Sequence, residues 1–125
     1  MSRTNVTTGS PFGDEFGYSR AVRVGDHIHI AGTCAQPPPD HGDAYQQAKS
    51  ALAIIEGALA ELGAGLDDVV RTVVYITDTA HAEGVTRALG ETFGGIMPAS
   101  TLVVVAALLK PNLVVEIEAY SVLDR

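Results

Sequence analysis

The chain has one cysteine, no cluster of basic residues and no apolar run of membrane-spanning length. A lone Cys34 cannot close an intrachain disulfide, which excludes a disulfide-stapled scaffold and fits a reducing compartment. The eight Lys and Arg residues are scattered from Arg3 to Arg125 against fifteen acids, for a net charge of −7. Nucleic-acid binders gather positive charge into a patch or stripe, and none is visible in the sequence. No stretch approaches the roughly 20 apolar residues that span a bilayer, and the N-terminal MSRTNVTTGSPFG lacks the apolar region of a secretory signal. The expectation is a cytoplasmic protein that binds neither nucleic acid nor membrane. A chain of 125 residues fits one domain, 1–125, and no linker, repeat or low-complexity segment divides it.

What is present is concentrated near the C-terminus. Leu102 to Leu109 is an unbroken apolar run, followed by a Lys-Pro-Asn turn and a second apolar run carrying Glu116 and Glu118. A strand with one wet face alternates polar and apolar residues, whereas a continuous run suggests burial on both faces. A chain this short lacks the mass to cover both, so the run argues for self-association.

The remaining elements follow from local pattern. Residues 1–17 are rich in Gly, Ser, Thr and Pro and read as an irregular arm. Arg20–Val24 and His27–Gly32 alternate around Gly25-Asp26, a hairpin signal. Gln36 to Gly42, with three consecutive prolines, is a loop. Asp43 with Gln46 three residues on predicts a capping box, and Ala44, Ala48, Leu52, Ile55, Leu59 and Leu62 form the apolar stripe of the helix it starts. Gly63 and Gly65 end that helix. Val69–Thr77 is β-branched and predicts a strand. A second helix runs from about Thr79 to Phe93, with Ala82, Val85, Leu89 and Phe93 on one face. Strands over Ser100–Ala107 and Leu113–Val122 complete a ββαβαββ order, an α+β two-layer sandwich with two helices on one face of a mixed sheet.

Several segments, in this order and spacing, carry a family resemblance: Gly17-Tyr18-Ser19-Arg20-Ala21-Val22, Val24-Gly25-Asp26, Ala31-Gly32, Ala64 through Thr72, Tyr75-Ile76-Thr77-Asp78, and Pro98-Ala99-Ser100-Thr101 through Val115-Glu116-Ile117-Glu118-Ala119. Over nearly its whole length the chain resembles the RidA (YjgF-like) reactive-intermediate deaminase superfamily. The resemblance implies a chorismate-mutase-like fold, a homotrimer with small-molecule clefts between subunits, and hydrolysis of 2-imino or enamine acids without metal or cofactor. It also implies roles for particular residues. Tyr18 matches a tyrosine that lines the cleft, with Gly17 in the usual proline place. Glu116 matches the glutamate that positions the attacking water, allowing one extra residue in the preceding turn. Ser100 stands where the family carries an arginine for the substrate carboxylate, Thr86 at a polar helix position that is often asparagine, and Ala31 at a serine position. The scaffold is kept and most of the polar pocket is changed.

A guanidinium grips a carboxylate through paired, charge-assisted bonds, and one hydroxyl cannot replace them. Ser100 therefore points away from a standard 2-imino acid deaminase. It leaves open a hydrolase for an uncharged or different ligand, with Tyr18, Ser100 and Thr101 shaping the pocket, and a non-catalytic module that binds a metabolite or a protein. A ribonuclease or translation inhibitor is a third reading that the acidic balance opposes. Arg20, two residues from Tyr18 in extended chain, is a candidate for the missing positive charge, against a salt bridge as the plain alternative. Glu118 is expected to be solvated or salt-bridged. His27 and His29 share a strand face but lack a third metal ligand. Cys34 reads as a semi-buried structural thiol, and Tyr45 and Tyr75 as packing residues.

Overall fold

The computed structural model describes residues 2–37 and 42–124. Residues 38–41 of the predicted proline loop lie outside the described residues. Among the described residues the strands and α-helices follow in order: β1 (Arg3–Val6), α1 (Pro11–Phe16), β2 (Ala21–Val24), β3 (His27–Thr33), α2 (Ala44–Glu61), β4 (Val69–Ile76), α3 (Ala82–Phe93), β5 (Ala99–Val104) and β6 (Val115–Val122). The predicted irregular arm is the main correction. Its residues 3–6 pair antiparallel with β2 as an edge strand, and Pro11, whose missing N–H costs nothing in a first turn, opens a six-residue helix. Gly17 closes that helix with a φ of 83°, so its N–H and that of Tyr18 both reach the carbonyl of Gly13.

The sheet order is β1-β2-β3-β6-β4-β5, antiparallel throughout except for the parallel pair β4–β5. The two-residue Gly25-Asp26 turn joins β2 to β3 as expected, with Gly25 at a φ of 60°. The capping box is also formed: Gln46 N–H donates to Asp43 Oδ1 and Asp43 N–H to Gln46 Oε1. Helices α2 and α3 lie on one face, and their stripes bury Ile55, Leu59 and Val85 against Ile28, Val74, Ile76 and Ile117. Each such side chain removed from water contributes about 1.5–3 kcal/mol. Among the described residues no helix is long and apolar enough to cross a membrane.

Two details set the position of Glu116. Gln47 is buried in α2, where its amide donates to the carbonyls of Gly42 and Asn112 and accepts from Val114 N–H. It thereby pins the turn that feeds β6. In β3 the register slips: Ile30 faces Ala119 but Thr33 faces Ile117, so three steps on one strand match two on the other. This is a β-bulge around Ala31-Gly32.

On β6 and β4 buried residues alternate with half-buried or exposed ones, which leaves the far face of the sheet uncovered. Strand β5 stops at Val104, earlier than predicted, and is exposed along its whole length; Leu102, Val103 and Val104 are 43%, 38% and 51% accessible. The run whose pattern suggests burial on both faces is thus uncovered in the protomer.

Candidate functional site

Alternation along β6 sends Val115 and Ile117 into the core and Glu116 and Glu118 to the open face. The bulge in β3 brings Gly32 against Glu116, where no side chain would fit: a Cβ at residue 32 would lie 2.9 Å from Glu116 Cδ and closer still to Oε2. Cys34, just past β3, donates its S–H to Glu116 Oε1 at 3.4 Å. Arg20 flanks the same bulge. Its Nη1 donates to the Gly32 carbonyl and to Thr33 Oγ1, each at 3.0 Å, and its Nη2 lies 3.4 Å from the Tyr18 hydroxyl. The guanidinium also sits 5.7 Å from the centre of the Tyr18 ring. Tyr18, Arg20, Gly32, Cys34 and Glu116 thus form one half-buried cluster.

Burial, then the Glu116 charge and hydrogen bond, push the Cys34 thiol up to about 12, with Arg20 pulling weakly the other way. Only the thiolate is a nucleophile, so at pH 8 roughly one molecule in ten thousand is reactive. Iodoacetamide should therefore label native Cys34 about a thousandfold more slowly than the unfolded chain, as read by mass spectrometry. Because the folded value is raised, the neutral thiol's contribution to stability is complete below pH 9 and is lost as pH rises toward 12.

The Gly32 contact gives a second prediction. In Gly32→Ala either the bulge or the carboxylate must move. Overpacking of this kind costs about 1–3 kcal/mol. A fall in the thermal midpoint should accompany loss of the Cys34–Glu116 contact, seen as faster thiol labelling.

A second cluster lies on the other side of the sheet. Ser100 pairs in register with Thr72, a residue buried under the helices, and Thr72 Oγ1 donates to Ser100 Oγ at 2.7 Å. Thr86, Leu89, Phe93, Met97 and Leu102 complete a recess of about 340 Å³ at the α3–β5 edge. Met97 holds a φ of 58°, a left-handed conformation that a residue with a Cβ rarely adopts. Thr101, one residue beyond Ser100, returns to the open face and receives Arg71 Nη2 at 3.4 Å.

The structure therefore gathers Tyr18, Arg20 and Glu116, and separates them from Ser100 and Thr86. Ala31 lies near the first group, in an open-face groove of about 420 Å³ shared with Tyr18, His29, Arg71, Glu118 and Tyr120. Arg20 adjoins the bulge that holds Glu116, while Ser100 is across the sheet. Its hydrogen bonds go to a carbonyl and two hydroxyls. Tyr75 and Tyr45 do more than pack. Tyr75 donates to Glu118, a bond that pushes the phenol up, and Tyr45 donates to Glu91 beneath the Arg87 guanidinium. His27 and His29 lie against Tyr120, and His27 Nδ1 bonds its hydroxyl. Among the described residues no group of three His, Cys, Asp or Glu side chains is placed to hold a metal ion. Sequence reasoning missed Gly32 and Thr72. A glycine inside an alternating strand is the available signal for the first, since it marks a bulge or a close approach.

With this geometry in hand, comparison with known proteins decides the family. The family model described as endoribonuclease L-PSP matches residues 11–123. The chain belongs to this family. A solved Mycobacterium tuberculosis member, of what is there called the YjgF/YER057c/UK114 family, superposes with a TM-score of 0.92 at 43% identity, covering 98% of this chain and 100% of that one. An uncharacterized protein of Streptomyces coelicolor is 38% identical over 92% of this chain and 90% of its own length. A mouse protein named 2-iminobutanoate/2-iminopropanoate deaminase is 33% identical, covering 84% of this chain and 80% of its own. The RidA/YjgF assignment and the α+β fold follow directly.

Proposed function

We propose that this RidA-family chain hydrolyses small uncharged imines or enamines, without cofactor, at clefts between the subunits of a homotrimer. The observation that carries the reading is the Glu116 carboxylate, wedged against side-chain-free Gly32, accepting from Cys34 and flanked by Arg20. In that setting Glu116 takes a proton from water as the water oxygen bonds to the imine carbon. The C=N electron pair passes to nitrogen, which takes the proton that Glu116 received from water, leaving a neutral carbinolamine and the carboxylate restored. Glu116 then mediates the transfer of the hydroxyl proton to the amine, the C–N bond breaks, and a ketone or aldehyde and ammonia leave. Arg20 spends three of its five N–H groups on protein partners and keeps its remaining donors and its charge for the polarised intermediate.

The preference for uncharged substrates rests on Ser100. Its hydroxyl is engaged by Thr72 in a recess whose other walls are Leu89, Phe93, Met97 and Leu102, with Thr86 as the further polar group. Among the described residues nothing cationic lines that recess to receive a carboxylate. Because Ser100 and Glu116 occupy opposite faces of one sheet, a single site uses them together only if the β5 edge of one copy meets the open face of another. The exposed Leu102, Val103 and Val104 supply an apolar surface for that assembly.

Binding without turnover is the second reading, favoured by a recess that offers only hydroxyls. The family description as an endoribonuclease finds little support in a net charge of −7 with dispersed Lys and Arg. The test is ammonia release from freshly generated imines, charged and neutral. Release above the buffer rate with the neutral ones supports hydrolysis; release at the buffer rate with all of them removes it.

A further inference from the structure

Two of the three phenylalanines in this chain sit on the short helix α1, and both face water. Phe93 is 5% accessible, whereas Phe12 is 44% and Phe16 71%. Their rings stack at 5.5 Å with an interplanar angle of 10°, and the Tyr18 ring stands edge-on to both, at 6.0 and 5.5 Å. Exposing two Phe rings together forgoes the burial that would stabilise a helix of six residues. The arrangement is nevertheless fixed, because the N–H groups of Gly17 and Tyr18 both bond the Gly13 carbonyl and lock Tyr18 to the end of α1. Tyr18 in turn reaches Arg20, and Arg20 reaches Gly32, on which Glu116 rests. The aromatic surface is thus continuous with the Glu116 cluster through direct contacts.

We propose that Phe12, Phe16 and Tyr18 form the specificity wall of the Glu116 site and select substrates with an aryl group on the imine carbon. The inference rests on the hydrolase reading for its reaction and on α1 alone for its selectivity. Aromatic faces pair with other rings in stacked or edge-on geometry, and a small alkyl group gains much less from them. Two near-parallel rings with a third edge-on to both offer both geometries to one planar substituent. The rival occupant of the same surface is another copy of the chain.

Binding and turnover are measured separately. Calorimetric titration uses benzamide and acetamide as uncharged, non-reacting probes, and kinetics use a phenyl-bearing and a dimethyl N–H ketimine. The wild-type chain should prefer the aryl member of each pair by about tenfold, and F12A/F16A should bring both ratios near one. Phe16→Leu, which keeps bulk but not the ring, should lose most of the preference. If the wild type binds benzamide preferentially but releases no ammonia, the wall stands and the hydrolase reading falls. Equal affinity for benzamide and acetamide in the wild type overturns the wall. So does a change of sedimentation coefficient in F12A/F16A, which assigns the rings to a contact between copies.

Discussion

Glu116→Gln should lower kcat for a neutral imine by about 10²–10⁴-fold, the usual worth of a positioned general base. The amide keeps the length and shape of the side chain and still offers an oxygen to Cys34 Sγ, so it can sit against Gly32 as the carboxylate does. It cannot accept a proton from water. The expected result is a loss concentrated in kcat, with KM and the thermal midpoint little changed. Steady-state ammonia release and a melting curve on the same preparation check both halves. A variant that keeps more than a tenth of wild-type kcat would show that the Gly32-supported carboxylate is a structural contact.

Ser100→Arg carries the other large effect, in the direction of gain. Residue 100 is exposed on the edge strand at a recess open to solvent, so a longer side chain can extend outward at the cost of the Thr72 bond, and the fold should tolerate it. A guanidinium there can make paired bonds to a carboxylate, each worth about 1.5–3 kcal/mol when charge-assisted. Even a total gain of about 3 kcal/mol raises kcat/KM for 2-iminobutanoate roughly 10²-fold. The increase requires position 100 of one copy and Glu116 of another to face the same bound molecule, since the two are on opposite sides of the sheet within a protomer. The double variant Ser100→Arg/Glu116→Gln should erase the gain. No gain in the single variant, in a chain that still folds and associates, would contradict the shared site.

How far the sequence carries is clearest in particular residues. The capping box of Asp43 and Gln46, the Gly25-Asp26 turn and the apolar stripe of α2 depend on neighbours a few positions apart, and all three are present as read. The strand β1 escapes because its pairing to β2 is an edge contact made across α1, with little apolar pattern of its own to announce it. The apolar run at Leu102 was legible as a surface in need of cover, but its exposure in the protomer depends on β5 being the outermost strand, a property of topology. For the site, alternation puts Glu116 and Glu118 on one strand face, and the fold makes that face the open one. The partition of Tyr18, Arg20 and Glu116 from Ser100 and Thr86 could not be read, because adjacent sequence matches say nothing about which side of a sheet each residue takes. Gly32 shows the same limit: its closeness to Glu116 arises from a register slip between strands more than 80 positions apart in the chain.

The central proposal is that Glu116 catalyses hydrolysis of uncharged imines and that position 100 offers no anchor for a charged one. It is tested most directly by kcat/KM on a matched pair of imines that differ only in a carboxylate and its uncharged amide. The account predicts the amide to be favoured, because a carboxylate would be desolvated against the hydroxyls and apolar side chains of the Ser100 recess with no cation to pair it. A ratio favouring the carboxylate, or no turnover of either above the buffer rate, would contradict it.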